Sequence, residues 1–219
     1  MKKLKYILPV AALTLTSIFT ACSPEDEQVM PQYSPTIYLE DFQKVIDGTF
    51  DETIFTNFAE AGTKKWFSNS YQGNAYYEFS PFNSNESLNV GWFITPEINL
   101  DSAVKKRMTF QTAQHHVVNT ENNFLQVLIS TNFNGDVATA TWEEVTFNGP
   151  KIGSSNNYDF FNSGAVDLSK FSGKIHIAFK ATGGTASANA GAFSTGRGHK
   201  RARPDSYKGI CQRAGESSG

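Results

Sequence analysis

The stretch Gly91-Trp92-Phe93-Ile94-Thr95-Pro96-Glu97-Ile98-Asn99-Leu100-Asp101 constrains this chain more than any other. Trp92, Phe93 and Ile94 form an apolar run that Pro96 stops, because proline has no N–H to give to a central ladder. Beyond it, Ile98 and Leu100 alternate with Glu97, Asn99 and Asp101, the period of a strand with one apolar face. The stretch predicts an arriving strand, a corner and a departing strand. That pattern organises a sheet around a core and supplies no chemistry of its own.

The rest of the body repeats the strand pattern. Ile37 to Phe42 predicts a first strand. Ala75, Tyr77 and Phe79 share one face of a strand that follows the turn Tyr71-Gln72-Gly73-Asn74. Met108 to His116, Phe124 to Ser130, Thr141 to Phe147 and Lys174 to Lys180 predict further strands. In the last of these Ile175, Ile177 and Phe179 point inward. Thr53 to Lys64 comes nearest to an amphipathic helix and is only partly periodic. About eight short strands joined by polar loops predict an all-β protein, a jelly-roll β-sandwich of two antiparallel sheets. The sandwich is expected over residues 36–190. No alternating apolar run follows, so its final strand is expected to be missing, which would leave a sheet edge open.

The ends of the 219-residue chain have different characters. Lys2, Lys3 and Lys5 precede an apolar stretch from Ile7 to Phe19, the build of a signal peptide over residues 1–21. Phe19-Thr20-Ala21-Cys22 resembles a bacterial lipobox, with Cys22 as the lipidated residue. The alternative is an ordinary signal peptide with an incidental cysteine. Ser23-Pro24-Glu25-Asp26-Glu27 resembles a surface-export signal of Bacteroidetes lipoproteins, and it serves equally as a solvated tether. Residues 22–35 contain Pro24, Pro31 and Pro35 and predict that tether. With Cys22 and Cys211 as its two cysteines, the chain has no disulfide framework. Residues 22–190 carry 10 Lys+Arg against 19 Asp+Glu, and residues 191–219 carry 6 against 2. The acidic body argues against nucleic acid as a partner. The basic segment 191–219 is expected to be a disordered tail or the product of a frameshift.

Several features occur together in one order: Glu40-Asp41-Phe42, Trp66, Tyr76 to Ser80, Trp92 to Pro96, Phe124 to Thr131, Thr141-Trp142 and Val166-Asp167-Leu168-Ser169 before Ile175 to Lys180. Over about residues 36–182 this set resembles the choice-of-anchor J domain of Bacteroidetes lipoproteins, a group related to cleaved-adhesin jelly rolls. The resemblance implies a lipid-anchored protein of the outer membrane and cell surface, with a non-catalytic module for adhesion or for a glycan or protein ligand. A structural or accessory subunit of a surface assembly is the alternative, and a glycan-active hydrolase a distant third. The resemblance also implies calcium tying the first strand to the last. Glu40 and Asp41 match, but the closing strand of the form Ile-Asp-Asn-Val that would complete the set is absent.

Candidate sites are few. No Gly-x-Ser-x-Gly elbow accompanies the Ser, His and Asp residues. The cysteines are too few and too far apart for zinc, and Gly196-Arg197-Gly198 lacks the rest of a phosphate loop. Glu143 and Glu144, adjacent in a strand, point to opposite faces. No catalytic residue is assigned and the chain is not expected to be an enzyme. Sugar-binding surfaces stack exposed rings on pyranose faces beside amides and carboxylates. Trp66, Tyr71 and Tyr76 are therefore the candidate ligand-binding residues, with Asn74, Asn83 and Asn85 close in sequence. Asp101-Ser102-Ala103 matches a short O-glycosylation acceptor motif of Bacteroidetes and marks Ser102 as a surface position.

Overall fold

Phe93 and its neighbours in sequence divide between two faces, and the architecture follows from that. The computed structural model describes residues 35–44, 48–150, 159–186 and 191–196. They contain thirteen strands and no helix. All belong to one compact unit, Ser34–Gly219. The first sheet has the order β1 (Thr56–Ala61), β4 (Asn89–Ile94), β12 (Lys174–Gly183), β8 (Phe124–Ser130), β9 (Glu143–Glu144). The second has the order β10 (Phe161–Asn162), β7 (Gln111–His115), β13 (Ala192–Gly196), β3 (Asn74–Phe79), β2 (Phe67–Tyr71). A ribbon of β6 (Arg107–Met108) and β11 (Val166–Asp167) lies beside them. Every pairing is antiparallel. The chain changes sheet at β1 to β2, β3 to β4, β7 to β8, β9 to β10 and β12 to β13, as expected of a jelly-roll β-sandwich.

The predicted corner at Pro96 is present. β4 pairs with Ala178–Gly183, and β5 (Ile98–Asn99) resumes on the same long strand at Lys174 and Ile175. Thr95 bridges the gap: its N–H donates to Ile177 O at 2.9 Å and its Oγ1 accepts from Ile177 N at 3.0 Å. The main core lies between the sheets. Val127, Ile129, Ile175, Ile177 and Phe179 enter it from the first sheet, and Tyr77, Phe79 and Phe193 from the second. The inward alternation expected for Phe124 to Ser130 and Lys174 to Lys180 is thus observed. On the outer face of the first sheet, Val90, Trp92, Ile94, Leu128 and Ala178 form a second cluster, closed over by Phe133, Val137 and Trp142 of the β8–β9 loop. Thr53 to Lys64 is not helical: β1 occupies its centre and pairs with β4.

Two expectations need correction. Ile37 to Phe42 is not a ladder strand. The Glu40 carboxylate takes the Phe42 N–H at 2.7 Å and Asp41 takes the Gln43 N–H at 3.2 Å, so side chains compete with a ladder for the backbone. Phe42 itself, at φ 56°, is buried in the main core. Nor is the final strand missing. β13 sits in the middle of the second sheet, with Phe193 opposite Phe79 and Gln114, and the sandwich runs at least to Gly196 instead of 190. Its Ala-Phe-Ser-Thr-Gly has one large side chain, so periodicity cannot find it. Both its faces are crowded by neighbours, and a Cβ on Gly196 would stand 2.6 Å from Tyr76 Cβ. The signal peptide, Cys22, nearly all of the tether and the basic tail beyond Gly196 lie outside the described residues.

Phe93→Ala tests the centre of this packing. Truncating a core phenylalanine costs about 3–5 kcal/mol, a large share of a domain's usual stability. The expected result is a much lower urea midpoint, or no cooperative transition at all, by tryptophan fluorescence.

Candidate functional site

The residues expected to bind a ligand are not all at the surface. Trp66 is 1% exposed and donates its Nε1–H to Gly91 O at 3.1 Å, with its ring against Phe79 and Phe93. It is a core residue, which corrects its assignment as a ligand-binding ring. Asn57 holds it there through two hydrogen bonds to its backbone.

Tyr71 and Tyr76 do share a surface. In an antiparallel pair, directly opposed residues lie on the same face. Tyr77 and Phe79 face the core, so Asn74, Tyr76 and Glu78 face outward from β3. Opposite them on β2 stand Tyr71, Asn69 and Phe67. Continuing across the sheet gives one row of Asn69, Tyr76 and Gly196 on β13, then Gln111 of β7, one position past the Thr195–Thr112 pair, and Asn162 of β10 opposite it. The adjacent row is Phe67, Glu78, Ser194 and Ala113. Tyr71 is 65% exposed at a two-residue hairpin whose Gln72 and Gly73 both have positive φ, the turn that matches strand twist. Gln72 Nε2 donates to its hydroxyl at 3.2 Å. Tyr76 is only 7% exposed and meets Phe160 edge-on at 5.6 Å, so its ring faces are not free for stacking. Asn74 is buried, and Asn83 and Asn85 are positive-φ turn residues of the β3–β4 loop.

Glu78 is the unusual group on this face. It is buried, its Oε2 accepts from Asn69 Nδ2 at 3.1 Å, and Ser194 lies opposite it. Burial pushes its pKa above the ordinary carboxylate value, against a smaller lowering by the Asn69 hydrogen bond. Sequence reading missed Glu78, Gln111 and Asn162. The outward alternation of Tyr76 and Glu78 was available as a signal for the first of them. The outer face of the first sheet is built differently. Glu60 Oε2 accepts from Trp92 Nε1 at 2.7 Å and from Lys180 at 2.8 Å, while Lys180 sits 4.6 Å from the Trp92 ring centre. Burial works to raise the Glu60 pKa, but these hydrogen bonds and the Lys180 charge together hold it below the usual value.

The remaining candidates stay apart. Glu144 is bonded by Gln126 and Glu143 by Lys170. His176 Nδ1 lies 2.9 Å from Thr95 O, and Ser102 is exposed in the turn after Leu100. Glu40 and Asp41 each commit an oxygen to a turn N–H, and the nearby Asp41 O and Ala75 O both accept from the Gln43 amide. Next to them the Tyr38 hydroxyl is buried without a hydrogen-bond partner, and burial, with the Glu40 charge adding, pushes its pKa up to about 12. Among the described residues no group of three or more His, Cys, Asp or Glu could hold a metal. Calcium takes six to eight oxygens, and this set does not fit it.

The family described as Domain of unknown function (DUF5017) matches residues 97–195. No curated protein matches the chain. Among solved structures, the chain is similar to the K1 cleaved adhesin domain of Lys-gingipain from Porphyromonas gingivalis W83, at 14% identity and a TM-score of 0.40, covering 73% of this chain and 97% of that one. The K3 cleaved adhesin domain of the same protein is similar at 13% identity and a TM-score of 0.41, covering 69% and 95%. The CBM22-2 xylan-binding domain from Paenibacillus barcinonensis Xyn10C is similar at 12% identity and a TM-score of 0.37, covering 74% and 96%.

Glu78 makes stability depend on pH. A carboxyl whose folded pKa is raised adds stability below its unfolded pKa, and that contribution is lost as pH rises through the folded one. Glu78→Gln keeps an acceptor for Asn69 and carries no charge. It is expected to melt higher than the parent at neutral pH, with the gap closing below about pH 4, near the unperturbed carboxylate pKa. Melting curves across that range check it; a variant that melts lower at neutral pH would refute the assignment.

Proposed function

We propose that the chain is a non-catalytic binding module that takes a glycan on the outer face of its second sheet. The observation that carries this reading is one exposed ring, Tyr71, beside a row of amides (Asn69, Gln111, Asn162) and the Glu78 carboxyl. A sugar offers a ring face with C–H groups and a rim of hydroxyls. Tyr71 matches the first, and amides, which both donate and accept, match the second. Tyr71 replaces Tyr76 as the stacking residue in this reading. Asparagine and glutamine on a sheet are held more rigidly than on loops, which lowers the entropy lost on binding.

A second reading has its own support. Tyr76 and Glu78 are buried on this same face, which suits a structural or accessory subunit whose sheet packs instead of binding. A glycan array separates the two. Under the binding reading the folded protein retains a defined set of glycans, and Tyr71→Ala or Gln111→Ala weakens them about tenfold, equivalent to about 1.4 kcal/mol. Failure of the folded parent to bind any glycan would favour the subunit reading.

In either case the proposed address is the outer membrane, at the cell surface, through lipid on Cys22. Growth with a clickable fatty acid is expected to label the parent and leave Cys22→Ala unlabelled. An equal label on both would remove the anchor.

A further inference from the structure

Arg107 is the only arginine before the basic tail, and it stands in a run of three cations, Lys105-Lys106-Arg107, within an otherwise acidic body. The run passes from a bend at Val104 and Lys105 into the β6–β11 ribbon, which begins at Arg107. Lys106 donates its Nζ to Phe171 O at 2.9 Å. Lys105 and Arg107 are both exposed, and with Lys106 they line an open cleft of about 520 Å³ together with Val104, Asp167 and Ser169. That volume suits a small-molecule ligand.

The carboxylate opposite Arg107 forms no ion pair with it. Asp167 is the direct partner of Arg107 in the ribbon. Its Oδ1 accepts from Ser169 N at 2.8 Å and its Oδ2 from Ser169 Oγ at 2.9 Å. Each oxygen accepts one bond within that turn, and among the described residues neither Arg107 nor Lys105 forms an ion pair. Two exposed cations lining one cleft, with a guanidinium fork that makes no ion pair, suit a planar or tetrahedral oxyanion.

We propose that this cleft binds the carboxylate or sulfate group of a small acidic ligand, with Arg107 as the fork, Lys105 as the second charge and Val104 against the ligand's apolar part. The site is separate from the second-sheet face and does not rest on the glycan reading. The test is titration of the ¹⁵N-labelled full chain with glucuronate, glucose 6-sulfate, inorganic sulfate and neutral glucose. The two acidic sugars are expected to give saturable shifts at the amides of Lys105, Arg107 and Ser169, and glucose none there. A response to inorganic sulfate shows that the oxyanion alone suffices. Its absence, with the sugars still binding, assigns the apolar contact to Val104. Arg107→Gln should weaken binding about tenfold. Asp167→Asn, which keeps an acceptor for Ser169 while removing the opposing charge, should strengthen it. Absence of saturation by either acidic sugar, equal shifts with glucose, or indifference to Arg107→Gln would overturn the proposal.

Discussion

Phe93 is where the two sheets are joined. Its ring lies 5.0–6.0 Å from those of Phe42, Phe50, Phe55, Trp66, Tyr77 and Phe179, which come from both sheets and from the segments before β1. Tilted and edge-on pairs of this kind add about 0.5–1.5 kcal/mol each beyond area burial, and cannot all be summed because they share one ring. The N-terminal segment 35–44 has no ladder, yet Phe42 is pinned by this cluster. Aromatic packing thus does for that segment what hydrogen-bonded pairing does for the strands.

A core with so many rings requires small residues where strands cross it. Gly91, two residues before Phe93, would place a Cβ 2.5 Å from Phe79 Cε2, and its carbonyl is the acceptor for the Trp66 indole. Gly91 is therefore fixed by its neighbours' rings even though its own backbone is ordinary. Trp92 and Ile94 face the other way under the β8–β9 loop, so β4 is buried on both sides. That explains why its sequence is a continuous apolar run, while β12 and β8, whose outer faces are partly polar, alternate.

This contrast also sets how much could be read from sequence. Phe124–Ser130 and Lys174–Lys180 were legible because each has one face for the core and one for a different environment. Ala192–Gly196 was not, since it carries one large side chain, Phe193, and Tyr76 leaves no room for a Cβ at Gly196. The corner at Pro96 was legible because proline acts locally. The row of Asn69, Tyr76, Gln111 and Asn162 was not, because its members are scattered over nearly a hundred positions and share a row only through the register of five strands. Trp66 misled for a related reason. A tryptophan after two lysines suggests a surface, whereas Asn57 draws the chain inward there.

The two outer faces differ in their unspent hydrogen bonding. On the first sheet Trp92, Glu60 and Lys180 satisfy one another beneath Trp142, leaving little for a ligand to gain. On the second, Ser194 is fully buried and its hydroxyl has no hydrogen-bond partner. A group left in that state costs about 1–3 kcal/mol. Its neighbour across the ladder is Glu78, whose burial favours the protonated carboxyl. A neutral carboxyl carries an O–H that a carboxylate lacks, so the same proton that relieves the Glu78 charge supplies a donor beside Ser194. A desolvated carboxyl and a hydroxyl without a partner thus stand opposite each other on one ladder of the second sheet.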